Sequence, residues 1–356
     1  MAVNTLTEIY AQDPLDQALV DESIRKAAVW NSGLVTIDPS LANFVGMGEG
    51  RKISRVGYTD QADPLLTGNA TQSSTHNPGY PDDSSTNLIS NASSTYTYDA
   101  VKTYVAYSLG QKEIIKTCSF LPDPIAALNG RMSNYWARYF DIYATNILKG
   151  VYADNKANDS SDMIAGTGVA AVDADSILDG FATLGDAAAL GGSVMICNSA
   201  VAFVLRKAQL IDSIPSAENS AVMFEYFQGN RMIVSNNGPT DTTCVTILAE
   251  PGILEFGQST NNIIPSELWR DPTESVGGGE EQLLTRQQFS MHPMGFTWED
   301  DTVSGSVASG TIPGLGTTTK LWPCPTDMAL AANWDRVIAR KKIKIAFLHT
   351  SEVPAS

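Results

Sequence analysis

Residues 123–154 read DPIAALNGRMSNYWARYFDIYATNILKGVYAD, and their pattern predicts a single long α-helix. Asp123 is a suitable N-cap, and Pro124 fits the first helical position, where a missing N–H costs nothing. Two adjacent rows of mostly apolar side chains recur at steps of three and four, which puts them on one face. At ~1.5 Å per residue the helix is roughly 45 Å long, so an extended surface is expected to lie along it.

The two rows of this helix differ from its opposite face in polarity. The first row is Ile125, Leu128, Met132, Tyr135, Tyr139, Ile142 and Asn146, and the second is Trp136, Phe140, Tyr143 and Ile147. The residues predicted to face away are Arg131, Arg138, Asp141 and Lys149. The pattern therefore predicts an amphipathic helix with one broad buried face.

Composition and charge exclude several classes of protein. The chain has 356 residues and a formal net charge of −16, which argues against a surface that binds nucleic acid through its phosphates. No apolar run approaches the ~20 residues of a membrane-spanning helix, and the N-terminus does not have the pattern of a signal peptide. The four cysteines form no CxxC pair, so we expect neither a disulfide framework nor a zinc site.

The N-terminal third is predicted to consist of extensions rather than a compact domain. Residues 1–50 contain one short helical pattern, at 15–29, and too few apolar residues for a core, so we interpret them as an N-terminal arm. Residues 51–118 are predicted to form an extended β loop, in which strands at 51–58 and 96–109 enclose a polar stretch at 59–95. So long a polar insertion is expected to be held by neighbouring subunits.

The remaining residues predict an α+β fold with two lobes. Residues 119–169 contain the long helix, and residues 170–285 are predicted to form a second lobe. That lobe would hold a helix at 173–190, a buried strand at 194–197, a helix capped by Asn198, and a hairpin joining 232–234 to 245–248. Residues 286–356 are predicted to return to the long helix through strands at 283–298 and 343–348. Trp298 and Trp334 are candidate packing anchors, the latter at the end of a short Ala-rich helix.

No motif predicts catalysis, a bound cofactor or a metal. Residues 166–171 fit the dinucleotide pattern GxGxxA, but no strand is predicted immediately before them, so a flexible link is the better interpretation. The three histidines, His76, His292 and His349, have no metal-ligand spacing. No GxSxG or reactive-cysteine motif is present either.

One block of the chain resembles a known family. Residues 291–298 (MHPMGFTW), followed by Pro325-Thr326, 333–337 (NWDRV) and 340–345 (RKKIKI), resemble the C-terminal end of tailed-phage major capsid proteins of the Hong Kong 97 type. The resemblance covers about sixty residues, and the order of the other segments is similar to that family. It implies a fold with an N-terminal arm, an extended loop, a peripheral domain with a long spine helix, and an axial domain.

The resemblance also implies a function and partners. The chain would be a coat protein that assembles as pentamers and hexamers into the icosahedral head of a phage, in the host cytoplasm, and remains in the virion. Implied partners are double-stranded DNA, enclosed without sequence-specific binding, a separate scaffolding protein, a portal, and a cement or decoration protein. It implies no enzyme activity, no cofactor and no membrane.

Two other functions remain open from the sequence. An encapsulin-like bacterial compartment shell would share the fold but enclose enzymes, so its cargo distinguishes it. A soluble hydrolase with a polar lid would be monomeric in gel filtration.

The charged residues suggest a candidate assembly interface. Its basic side is Arg336, Arg340, Lys341, Lys342 and Lys344, and its acidic side, in the N-terminal arm, is Asp13, Asp16, Asp21 and Glu22. Pairing between these groups would offset the repulsion between acidic subunits, although each exposed pair contributes only about 0–1 kcal/mol. The alternative is that the basic residues face DNA or solvent.

Overall fold

The structure is a computed structural model that describes residues 29, 32–46, 52–58, 95–112, 124–166, 168, 171–184, 192–215, 223–239, 244–259, 263–273, 279–299, 311–312, 316–317 and 322–351. Almost all of the predicted arm helix, and the polar stretch of the extended loop, lie outside these residues. No helix in the described ranges is long and apolar enough to cross a membrane.

The described elements confirm an α+β chain. In the first half they are β1 (Val35–Ile37), α1 (Pro39–Gly46), β2 (Lys52–Tyr58), β3 (Thr95–Lys112), α2 (Pro124–Ala157), β4 (Ile164–Ala165), α3 (Ala174–Ala182), β5 (Val194–Cys197) and α4 (Ser199–Lys207). Then follow β6 (Asp212–Pro215), β7 (Met223–Phe227), β8 (Asn230–Val234), β9 (Cys244–Ala249), β10 (Leu254–Gln258), β11 (Ser266–Asp271), β12 (Glu280–Pro293) and β13 (Phe296–Trp298). The last are β14 (Thr311–Ile312), β15 (Gly316–Thr317), β16 (Trp334–Arg336) and β17 (Ile345–Thr350).

The long helix is confirmed as α2, which continues three residues beyond the predicted end. Trp136, Tyr143 and Ile147 of the second predicted row are buried, as are Leu148 and Val151, which belong to neither row. Asp141 was predicted to face away from the core, and this is wrong: it is 3% exposed. Its Oδ1 accepts a hydrogen bond from the backbone N–H of Val29 at 3.0 Å, which compensates for burying the carboxylate.

The first sheet lies along α2. Its described strands have the order β1-β10-β12-β3-β2, with β11 paired to the far half of β12. Phe289 of β12 makes an edge-to-face contact with Tyr143 of α2, with ring centroids 5.0 Å apart. The Tyr143 hydroxyl in turn lies 2.7 Å from Thr103 Oγ1 of β3. The predicted strands at 51–58 and 96–109 are confirmed as the antiparallel pair β2 and β3.

The second sheet is covered on both faces. Its described strands have the order β4-β17-β9-β5-β8-β7-β6. On one face Ile247 and Phe347 join the core that contains α2, and Phe347 contacts the ring of Tyr152. On the other face Met195 and Leu248 pack with α3 and α4. Strands covered on both faces are expected to be mostly apolar, and every residue of β5 and β9 is buried, with Thr246 as the one polar side chain.

Strand pairing corrects two predictions. The predicted hairpin between 232–234 and 245–248 is wrong, because β5 lies between β8 and β9, parallel to β8 and antiparallel to β9. The predicted closing strand at 343–348 does contact α2, but as β17 it pairs with β9 and β4 in the second sheet. A buried central strand needs a partner on each side, and the partners of β5 are β8 and β9.

The predicted boundary between residues 285 and 286 therefore does not match the sheets. β10 and β11, placed by the sequence in the second lobe, pair with β12 in the first sheet. Residues 345–350, placed with the long helix, belong to the second sheet. The chain crosses between the sheets more often than the segment order suggests.

Two shorter elements also differ from prediction. The strand predicted at 283–298 is interrupted after Pro293 by a turn, in which Gly295 has a φ of +90°. The Ala-rich helix predicted before Trp334 is replaced by two 3-10 turns, Asp327–Ala329 and Ala331–Asn333. Trp334 instead begins β16, which pairs with β13 and brings Trp298 opposite Trp334.

Candidate assembly surfaces

The described residues contain no group of histidines, cysteines or carboxylates that would hold a metal ion. His292 is buried, and its Nε2 lies 2.8 Å from the backbone oxygen of Phe296. Burial lowers the pKa of His292 to about 4, so the ring is neutral near pH 7. His349 contacts the Tyr152 hydroxyl through its Nε2. Both histidines have structural partners, and His76 lies outside the described residues.

The sequence predicted no strand before the GxGxxA pattern, but the two-residue strand β4 precedes it. The first glycine of the pattern permits a close backbone approach. Gly166 follows β4 with a φ of +80°, and a Cβ added there would lie 2.5 Å from the backbone oxygen of His349. The first glycine therefore permits β4 to meet the end of β17. This local role accounts for the residue without a nucleotide.

Arg336 of the basic cluster is paired inside its own chain. Its guanidinium lies 3.1 Å from Asp159 Oδ1 and 2.8 Å from Asp162 Oδ1. Burial opposes the ionisation of Asp162, but hydrogen bonds from Arg336 and Asn155 hold its pKa below the ordinary value. The pairing ties the turn after α2 to β16.

Arg340 joins the same region to the second lobe. It donates hydrogen bonds to the backbone oxygens of Thr183 at 2.9 Å and of Ile343 at 3.0 Å. Thr183 is the C-cap of α3, so the guanidinium also satisfies a helix end. Burial lowers the pKa of Arg340, and Asp162 acts in the opposite direction.

Lys344 and Lys342 lie nearer to solvent. Lys344 Nζ lies 2.6 Å from Glu250 Oε2, and Lys342 is exposed with an interaction of its own. The side chain of Lys341 and all four acidic residues of the predicted arm partner, Asp13, Asp16, Asp21 and Glu22, lie outside the described residues. Pairing of the basic cluster with the arm therefore stays a prediction, while Arg336, Arg340 and Lys344 already have partners in the chain.

Trp298 and Trp334 lie in the core, as the sequence analysis proposed for packing anchors. They are 0% and 1% exposed, and their rings meet edge to face with centroids 5.1 Å apart. The indole N–H of Trp334 donates to the backbone oxygen of Met328 at 2.8 Å, so its one polar atom is satisfied.

Sequence reasoning missed the surface formed by β11. The side chains of residues 266–270 are all exposed, with Leu268 at 54% and Trp269 at 45%. Neighbouring residues of a strand point to opposite faces, so this edge strand presents apolar side chains on both. The signal was the run Leu268-Trp269 between charged residues, whose exposure depends on the position of β11 beyond β10.

Comparison with known proteins identifies the fold. No family model matches the chain. The major capsid protein of Bacillus phage SPP1 is 25% identical over 229 residues, which span 63% of this chain and 64% of the relative, just under two thirds of its length. A chain from the capsid of Ralstonia phage GP4 superposes with a TM-score of 0.52 at 10% identity, covering 76% of this chain and 88% of the other. The chain has the Hong Kong 97-like capsid fold.

The Hong Kong 97-like fold gives the described elements their names. α2 is the spine helix, and β2 and β3 form the described base of the extended loop. A chain from Mycobacterium phage Patience also superposes, with a TM-score of 0.48 at 10% identity over 96% of this chain and 88% of the other. The division of residues 1–356 into arm, loop, peripheral and axial segments remains our proposal, with the corrections that strand pairing requires.

Proposed function

We propose that this chain is the major capsid protein of a tailed phage and assembles, as pentamers and hexamers, into the icosahedral head that holds double-stranded DNA. One observation carries the proposal: 63% of this chain matches the sequence of a major capsid protein. The Hong Kong 97-like fold agrees with that match. The role is structural and non-enzymatic.

Exposed surfaces of the subunit support assembly. At the base of the extended loop, β3 continues past its pairing with β12 and pairs with β2 over residues 95–101. On another part of the sheet, β11 exposes Leu268 and Trp269. Exposed apolar side chains on an edge strand favour association with another chain. In a shell, copies of the same chain would cover these surfaces.

The proposed partners follow from a phage head. A separate scaffolding protein would guide assembly, a portal would occupy one vertex, and a cement or decoration protein could bind outside. The DNA would be enclosed without sequence-specific binding, consistent with the net charge of −16. The chain would be located in the virion after assembly in the host cytoplasm, with no cofactor and no membrane contact.

The cargo of native particles tests this function. Particles isolated from cells that produce the chain naturally would be treated with nuclease and protease, and their contents extracted. We expect nuclease-protected double-stranded DNA of uniform length. Particles that enclose enzymes and no genome would replace the proposal with a compartment shell, and a chain found only as a monomer would exclude both shells.

A further inference from the structure

Within the described residues, backbone pairing joins the base of the extended loop to β12 through one strand, β3. β3 pairs with β12 over Lys102–Lys112, and with β2 over Thr95–Val101. The two pairings meet between residues 101 and 102, so backbone hydrogen bonds of β12 stop where those of β2 begin. The direction of the β2–β3 hairpin relative to β12 therefore also depends on side-chain contacts.

Arg55 of β2 provides the strongest such contact. Its guanidinium forms ion pairs with Glu255 of β10 and, at 2.6 Å, with Asp38 after β1, and it lies 5.4 Å from the ring centre of Tyr98 of β3. The Arg55 side chain is 14% exposed. An ion pair so shielded from water is more strongly held than one at the surface. We call these four residues the Arg55 clamp.

The acidic side of the clamp is fixed by its own neighbours. Asp38 Oδ1 accepts a hydrogen bond from the backbone N–H of Ser40 at 2.8 Å, and the Asp38 N–H donates to the backbone oxygen of Phe256 at 2.9 Å. Burial opposes ionisation of Asp38, but the bonds from Ser40 and the charge of Arg55 hold its pKa below the ordinary value. The clamp therefore ties the hairpin to the opposite edge of the first sheet.

Tyr98 also rests on the core. Tyr98 stacks on His292 with ring centroids 5.2 Å apart and planes 21° apart, and His292 lies 5.9 Å from Trp334. Beside this stack, the N–H of Asp99 donates to Thr297 Oγ1 at 3.0 Å. These contacts give the Arg55 clamp a rigid support.

We propose that the Arg55 clamp is a positioning device, which sets the angle at which the extended loop leaves the subunit toward a neighbouring copy. Its effect on shells rests on the proposed function, but its effect on the hairpin does not. Loss of the clamp allows β3 to bend more freely between its pairing with β12 and its pairing with β2. The spacing between neighbouring subunits then varies, and the particle diameter varies with it.

The test compares Arg55→Met with Val56→Thr, a nearly isosteric control on the same strand at a side chain that is 60% exposed. Amide hydrogen exchange of the subunit is measured at residues 97–101, at α2 and at β5. Arg55→Met should raise exchange at 97–101 at least tenfold while leaving α2 and β5 protected, and Val56→Thr should change it less than threefold. Shells of Arg55→Met should have a broader diameter distribution by electron microscopy than wild-type shells.

Several outcomes overturn the proposal. Unchanged exchange at 97–101 shows that backbone pairing alone holds the hairpin, and a uniform rise across α2 and β5 shows that Arg55 only stabilises the fold. Faster exchange at 97–101 in a variant whose shells keep the wild-type diameter distribution refutes the link to assembly. Where Arg55→Met does not fold, Asp38→Asn and Glu255→Gln each remove one arm of the clamp and are judged in the same way. If the wild-type chain forms no shells, the proposed function fails, and the exchange result still decides the clamp.

Discussion

A Cβ added to Gly150 would lie 2.4 Å from the indole nitrogen of Trp334, a separation that real side chains do not adopt. The same Cβ would lie 2.1 Å from the backbone oxygen of Met328, which accepts the indole hydrogen bond. Residues 328–334 therefore pack directly against the backbone of the spine helix at Gly150. A glycine at this position is required by the contact, although glycine is unfavourable inside a helix.

We expect Gly150→Ala to destabilise the subunit by roughly 1–3 kcal/mol, because the methyl group forces Trp334 and Met328 apart. Helix propensity alone predicts the opposite, a gain of about 1 kcal/mol. Urea unfolding measures the difference, with Ser133→Ala on the exposed side of the same helix as the control. A more stable Gly150→Ala subunit would show that the returning segment does not lie against α2.

Trp334→Ala is expected to cost about 3–5 kcal/mol, since it removes a fully buried aromatic side chain and leaves the Met328 oxygen unpaired. The variant should be largely insoluble, or should form misassembled subunits. Soluble fraction, melting temperature and electron microscopy of the product test this. A soluble variant with an unchanged melting temperature and normal shells would remove Trp334 as a packing anchor.

The residues of the basic cluster require two separate tests, one of stability and one of assembly. Arg340 binds the C-cap of α3, so its neutralisation should lower the melting temperature and cannot by itself report on assembly. The pair Lys341→Gln and Lys342→Gln tests the interface: we expect slower assembly of empty shells with a weaker salt dependence, and a smaller change in melting temperature than for the Arg340 variant. Empty shells that form at the wild-type rate, with only genome packaging altered, would assign these lysines to DNA.

Asp154 is predicted to make the subunit sensitive to pH. It is fully buried, and its Oδ2 has no hydrogen-bond partner in the described part of the chain. Burial raises its pKa from 3.8 to about 6; the charges of Asp159 and Asp335 add to the rise, while Asn158 and Arg336 oppose it. Between these two pH values the unfolded chain loses the proton and the folded chain keeps it, so this carboxyl makes folding less favourable as pH rises.

Asp154→Asn should therefore match the wild-type subunit near pH 4 and exceed its stability by up to about 3 kcal/mol at pH 7. Denaturant unfolding at a series of pH values measures the difference. Asp162→Asn is the control of opposite sign, because the lowered pKa of Asp162 contributes stability at neutral pH. A stability difference between Asp154→Asn and wild type that stays constant from pH 4 to pH 7 would contradict this account.

The sequence predicted the helices and strands whose apolar residues recur with a clear period. It missed the pairing of strands in which every residue is buried, because such strands show no period. α2 was predictable because its apolar rows recur over many turns, and β2 and β3 because a polar stretch separates two β-rich segments. The partners of β5 and β9 were not predictable: every residue of both strands is buried, so no alternation distinguishes one neighbour from another. The turn signal after β8 was correct as a turn but did not reveal that β5 lies between β8 and β9.

The candidate assembly residues show a similar division. Burial of Trp298 and Trp334 follows from their size and their position beside strands. The partners of Arg336 could not be predicted, because Asp159 and Asp162 are far from it in sequence and meet it only through the turn after α2. The exposure of β11 likewise depends on sheet order, which local sequence does not encode.

The most direct test of the account is cryo-electron microscopy of the purified chain under assembly conditions, beside a variant in which residues 59–94 are replaced by a short Gly/Ser linker. We expect the wild-type chain to form closed shells whose capsomers have five-fold and six-fold symmetry. The variant should remain a folded subunit that forms none. A wild-type chain that stays monomeric under these conditions, or a variant that closes into normal shells, would contradict the account.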